Sequence, residues 1–187
     1  MSALNQAQPA TQGCTNVVLV GLMGSGKSSV GRTVAEGLGL QFADTDAMIV
    51  EEAHRPITEI FADEGEDGFR RRETRALESL AKQQNLLLST GGGIILCERN
   101  RQLLSQLGFV VWLTASIDTL AYRVSQNRDR PLLHTEDPKQ RLIDLMDVRR
   151  SLYEEVSDLT VDTTDLTLPE TVHGLVESIH YHFACKS

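Results

Sequence analysis

GLMGSGKS, residues 21–28, follows a valine-rich apolar run, NVVLV at 16–20. It meets every fixed position of the pattern G-x-x-x-x-G-K-[ST]. Glycines let the backbone turn tightly and aim its N–H groups inward at an anion. A helix beginning near Lys27 adds its positive dipole end. Lys27 is a mobile cation for β- and γ-phosphates, and the Ser28 hydroxyl is placed to coordinate Mg²⁺. A chance glycine-rich turn is the plain alternative. The strand before it and the helix after it are the context that a phosphate-cradling loop requires, so the stretch predicts ATP binding.

The pattern continues outward. Apolar residues at Val30, Val34, Ala35 and Leu38 have helical spacing, and Gly39 lies where a helix stops. Strands are predicted at 16–20, 40–43, 86–89, 109–113 and 159–161. Helices are predicted from Lys27 to Leu38, from Asp44 to about Ala53, from Pro56 over a short run, and over 66–84. Further helices are predicted over 116–126 and 139–156, and from about Leu168 onward. Alternating strands and helices imply a parallel sheet covered on both faces. Ligands in such folds bind at the carboxyl ends of the strands.

The chain has 187 residues and a formal net charge of -8. That length fits one domain, 16–187, after a polar leader at 1–15 expected to be disordered. The acidic balance argues against nonspecific nucleic-acid binding. No apolar run is long enough to span a bilayer, and no signal peptide is recognisable, so a cytoplasmic protein is expected. Cys14, Cys97 and Cys185 are widely spaced, which suggests neither a zinc site nor a disulfide framework. His173, His180 and His182 are read as a solvated helix face rather than a metal cluster.

Nucleotide binding alone does not fix a function. The Asp-x-x-Gly and Asn-Lys-x-Asp strings of GTP-dependent switches are absent from the sequence. The strands at 86–89 and 109–113 do not end in the metal-binding Asp of motor and transport ATPases. A small-molecule kinase remains, and it needs an acceptor site and a lid. Asp44 and Asp46 follow the second strand. Asp44 suits a Mg²⁺ hydration shell, and Asp46 suits a hydrogen bond from a substrate hydroxyl. Helix capping by either aspartate is the alternative. GEDGFRRRE at 65–73 puts three arginines on different sides of a helix. Gly91-Gly92-Gly93 can offer bare backbone to a ligand or simply make a flexible turn. RDRPLL at 128–133 lies in a polar stretch, 127–137, that suits a mobile lid. An arginine there can stabilise charge on a phosphoryl group in transfer. Arg149 is a further cation for the same cleft.

Together these segments resemble shikimate kinase. The resemblance rests on GLMGSGKSSVGR, the DTD doublet, FADEGEDGFRRRE, the triple glycine, RPLL, and Arg149 four residues before Tyr153. It implies an α/β fold of the P-loop kinase type: three layers, α/β/α, around a five-stranded parallel sheet, with a substrate-binding region and a lid. It implies transfer of the ATP γ-phosphate to the 3-hydroxyl of shikimate, with Mg²⁺, by a protein expected to be a monomer. Gly24, Ser25, Gly26, Lys27, Ser28 and Ser29 would hold the phosphates, with Ser28 on the metal and Asp44 reaching it through water. Asp46, Arg70, Gly92, Gly93 and Arg149 would hold shikimate. Arg130 would contact ATP from the lid, and Arg123 would lie near the adenine. Lys27, Asp46 and Arg130 would carry the catalysis, and Glu73 would be a buried partner orienting an arginine.

Two positions depart from that pattern. Ser151 stands where the family usually has proline. The loop Thr163-Thr164-Asp165-Leu166 lacks the family's occasional arginine or asparagine, so no adenine contact is assigned to it. Two other readings stay open on sequence alone. One is another metabolite kinase such as a gluconate kinase. The other is a nucleotide-binding module with no turnover.

Overall fold

A computed structural model describes residues 16–126 and 137–185. Five parallel strands make one sheet: β1 (Val17–Val20), β2 (Gln41–Asp44), β3 (Leu86–Ser89), β4 (Phe109–Thr114) and β5 (Leu159–Asp162), in the order β2-β3-β1-β4-β5. The order places β1 at the centre, so the loop that follows it emerges mid-sheet.

Side chains alternate across β1 and β4 and fill two cores. Val17, Leu19, Phe109, Val111 and Leu113 face α1 (Lys27–Leu38) and α7 (Leu168–Ala184), which supply Val30, Val34, Leu175 and Ile179. Val18, Val20, Val110 and Trp112 face the opposite way. There they meet α4 (Glu98–Leu107), α5 (Ile117–Ser125) and α6 (Pro138–Val156) through Leu103, Leu104, Leu120, Leu142 and Tyr153. Burial on both faces explains why the inner strands are continuous apolar runs.

A third, smaller cluster of Ile49, Ile60 and Phe69 joins α2 (Thr45–Ala53) to α3 (Ile57–Leu80). The sequence predicts a short helix from Pro56 and a separate helix over 66–84. The structure runs both together as α3, with non-helical geometry at Gly65 (φ 67, ψ -174), and ends the helix at Leu80. That backbone conformation is open to glycine and almost no other residue.

The predicted pattern lacked one helix. α4 fills the stretch between the triple glycine and β4. Leu103, Leu104 and Leu107 carry its apolar stripe. Its buried face also holds Asn100, which accepts a hydrogen bond from the Thr74 hydroxyl at 2.6 Å. The expected leader at 1–15, the lid segment up to residue 136, and Arg130 lie outside the described residues. Among the described residues no helix is long and apolar enough to cross a membrane.

Candidate active site

The carboxyl ends of β1, β2 and β3 bring the predicted residues to one edge of the sheet. The loop after β1 turns at Gly24 (φ 82) and Gly26 (φ 91), both left-handed, and Gly26 starts α1. The Lys27 side chain is buried, and its ammonium donates to the Gly21 and Leu22 carbonyls at 2.8 and 2.9 Å and to Ser25 Oγ at 3.2 Å. The cation is therefore held against the loop on which it would meet phosphate oxygens.

Asp44 ends β2 and divides its carboxylate between two roles. Oδ1 caps α2 by accepting from the Asp46 and Ala47 amides at 3.0 and 3.4 Å. Oδ2 accepts from the Ser28 hydroxyl at 2.8 Å. One carboxylate thus caps the helix and also meets the Ser28 hydroxyl. Ser89, at the end of β3, stands 3.2 Å from Ser28 through its hydroxyl. A carboxylate and hydroxyls together make an all-oxygen set, which suits a hard cation such as Mg²⁺. Sequence reasoning did not single out Ser89. Its only signal was its position at the end of an apolar strand.

Asp46 opens α2 and turns its Oδ1 toward the triple glycine. A Cβ on Gly91 would lie 2.6 Å from that oxygen and 3.1 Å from Glu73 Oε1, so glycine there leaves room for two carboxyl groups. Gly93 has a parallel role, since its Cβ would meet the Arg70 guanidinium at 2.5 Å. The Gly92 carbonyl accepts from Arg149 at 3.1 Å and from the Tyr153 hydroxyl at 2.6 Å. Tyr153 is fully buried and stacks on Trp112, with ring centroids 5.4 Å apart. In the sequence Tyr153 served only as a landmark. Its bond to Gly92 makes it part of the wall behind the site.

The three consecutive arginines separate as helical geometry requires. Arg71 is exposed, and Arg72 turns away to Glu64 at 2.8 Å and Glu52 at 3.1 Å. Arg70 faces the site, donating to Glu73 at 2.7 Å and to Glu66 at 2.8 Å. Burial works against the charge on Arg70, but Glu73 and Glu66 outweigh it and hold the guanidinium above its ordinary value. Burial pushes the Glu73 carboxyl up to about 7, against the pull of Arg70, and the charge of Asp46 adds to the rise. Burial pushes Arg149 down from its ordinary value, and the like charge of Arg70 acts in the same direction.

Beside the loop after β1 lies a cavity of about 330 Å³ lined by Gly24, Ser25, Gly26, Ser29, Arg123 and Thr163, with Leu166 and Leu168 among its apolar walls. The Arg123 guanidinium donates to Thr163 Oγ1 at 2.9 Å and to the Thr163 carbonyl at 2.8 Å. The 163–166 loop therefore enters the cavity wall, although the sequence offered no residue there to assign. Its contribution is a threonine and a leucine, which carry no motif. The histidine reading also changes: His173 and His180 are exposed, but His182 stacks on Phe109 with centroids 3.7 Å apart. Among the described residues no group of three or more His, Cys, Asp or Glu could hold a metal ion.

The family model for shikimate kinase matches residues 23–180. A shikimate kinase from Actinobacillus pleuropneumoniae serotype 5b is 43% identical over 164 residues, 88% of this chain and 95% of that protein. One from Haemophilus influenzae (strain PittEE) is 42% identical over 165 residues, 88% of this chain and 92% of its own. A solved shikimate kinase from Acinetobacter baumannii, in complex with shikimate, superposes with a TM-score of 0.85 at 40% identity, covering 90% of this chain and 94% of that one. A gluconokinase from Sinorhizobium meliloti reaches a TM-score of 0.58 at 23% identity and shares the fold alone. The parallel sheet, the phosphate loop and these matches lead to one conclusion: the chain belongs to the shikimate kinase family.

Proposed function

We propose that this protein transfers the γ-phosphate of ATP to the 3-hydroxyl of shikimate, giving shikimate 3-phosphate and ADP. The observation that supports this most is the convergence of Asp46, Arg70 and Arg149 on the triple glycine, at the same sheet edge as the phosphate loop. Such a set matches an acceptor with one carboxylate and several hydroxyls. Arginines receive carboxylates by charge-assisted, often bidentate, hydrogen bonds. An aspartate suits the hydroxyl that reacts.

In this reading Gly24, Ser25, Gly26, Lys27, Ser28 and Ser29 hold the ATP phosphates, and Arg123 lies on the adenine side. Ser28 would hold Mg²⁺ directly and Asp44 through water. The metal supplies charge neutralisation to the β- and γ-phosphates. Asp46 accepts the hydrogen bond of the acceptor hydroxyl and receives its proton. The hydroxyl oxygen bonds to the γ-phosphorus as the bond to the β-phosphate oxygen breaks, and ADP leaves. Arg130, from the lid at 127–137, offsets charge on the transferring group. Arg70, Arg149, Gly92 and Gly93 hold the acceptor. The protein acts as a monomeric enzyme of the cytoplasm, with a single kinase domain at 16–187.

A coupled assay for ADP tests the reading. Release should require both shikimate and Mg²⁺, and Lys27→Ala should abolish it. Bound ATP with no stimulation by shikimate would instead indicate a nucleotide-binding module without turnover.

A further inference from the structure

Arg70 has two outward-reaching nitrogens, and carboxylates of its own helix hold both. Nη1 goes to Glu73, whose side chain is 0% exposed, and Nη2 goes to Glu66, whose side chain is 62% exposed. The two contacts differ in kind. Glu73 is fixed in the interior beneath the triple glycine, whereas Glu66 comes from the solvent side, one residue after the break at Gly65. The charge of Glu66 also reaches Arg149, where it opposes the effects of burial and of Arg70. Glu66 is thus a carboxylate in the field of both arginines assigned to the acceptor.

We propose that Glu66 is an intramolecular stand-in for the acceptor's carboxylate, holding Nη2 of Arg70 until the acceptor displaces it. The inference rests on the reading that Arg70 and Arg149 receive that carboxylate. Glu66 satisfies a half-buried cation, and the acceptor must compete with it on entry. The pair has one exposed and one largely buried partner, so it is a modest contact that an entering carboxylate can exchange for its own. Its direction is nevertheless definite: removing Glu66 removes a competitor. Were Glu66 instead needed to orient Arg70, its removal would weaken acceptor binding.

The experiment compares wild type with Glu66→Gln and Glu66→Asp by calorimetry with shikimate, alongside steady-state KM values. Gln keeps the length and loses the charge, whereas Asp keeps the charge and loses the reach. Both variants should bind shikimate about two- to tenfold more tightly, the range expected for losing a competing exposed or charge-assisted contact. The KM for ATP should not move. Unchanged or weaker shikimate binding in either variant overturns the proposal. Cyclohexanecarboxylate, which lacks the ring hydroxyls, separates this failure from that of the acceptor reading. Should wild type bind no shikimate and release no ADP with it, the acceptor assignment falls. The Glu66 inference is then judged on this anion: tighter binding in both variants supports it, and equal or weaker binding overturns it.

Discussion

Asp46 and Glu73 approach Gly91 from α2 and α3, on the side where a Cβ would stand. Glu73 is fully buried beside Arg70, whereas Asp46 is half-buried in the first turn of α2. The difference supports the proposal that Asp46, rather than Glu73, meets the hydroxyl. Asp46→Asn keeps the shape of the side chain and removes its basicity, so kcat should fall by about 10²- to 10⁴-fold. ATP affinity, measured by titration, should stay near the wild-type value. Arg149→Ala removes a donor from the acceptor end and leaves the Gly92 carbonyl to Tyr153 alone. Its shikimate KM should rise about tenfold or more, as for loss of a hydrogen bond to a charged group, with the ATP KM little changed. Asp46 was legible in the sequence because the doublet follows a strand end. Glu73 was legible only through the family resemblance, since one glutamate in a run of charges has no local mark of burial.

At the scale of elements, α3 is the least regular piece of the fold. Its break at Gly65 lets Glu64 pack against Gly68, where a Cβ would lie 2.3 Å from the Glu64 Cβ. It also lets Glu64 pair with Arg72, eight residues further on, at 2.8 Å. In an unbroken helix these residues would stand about 12 Å apart along the axis. A Cβ added at Gly65 would have nothing within 4 Å, so a substitution there meets open space but forbidden torsions. Gly65→Ala should therefore destabilise the chain by about 1–3 kcal/mol, read from the urea midpoint. The sequence revealed both halves of α3 because Pro56 and the charged run each signal a helix. It concealed α4 for an opposite reason. Cys97 precedes that helix without a side-chain cap, and its first turns are polar, with buried Asn100 interrupting the apolar stripe. Glycine and proline punctuate visibly, whereas a helix held mainly by tertiary contact does not.

For the whole molecule, a net charge of -8 coexists with cations gathered at one edge of the sheet: Lys27, Arg70, Arg123 and Arg149. Holding charge there has a pH signature through Glu73. Its carboxyl stands at about 7 in the folded protein against an ordinary 4.5, because burial disfavours the ionised form. The fold thus favours the protonated state. That contribution to stability is complete below about 4.5 and is lost as pH rises through about 7. The difference corresponds to roughly 3 kcal/mol across that window, set mainly by burial and modulated by Arg70, Asp46 and Arg149. Glu73→Gln should show a flatter dependence of unfolding free energy between about pH 5 and pH 8 than wild type. Parallel profiles for the two proteins would contradict this account of Glu73.

The parallel sheet and the phosphate loop were readable because burial on both faces and tight anion binding each demand particular residue types. The placement of Ser89, Thr163 and Glu66 was not, because a serine, a threonine or a surface glutamate acquires meaning only from what folding sets beside it.

Tyr153 connects the acceptor end to an optical property of the chain. The protein has a single tryptophan, Trp112, and it lies buried against the ring whose hydroxyl holds the Gly92 carbonyl. Any ligand that tugs on Gly92 or Arg149 acts on the only indole through one intervening ring. Filling of the acceptor end should therefore register as a change in emission with no label attached, and Tyr153→Phe should mute the signal.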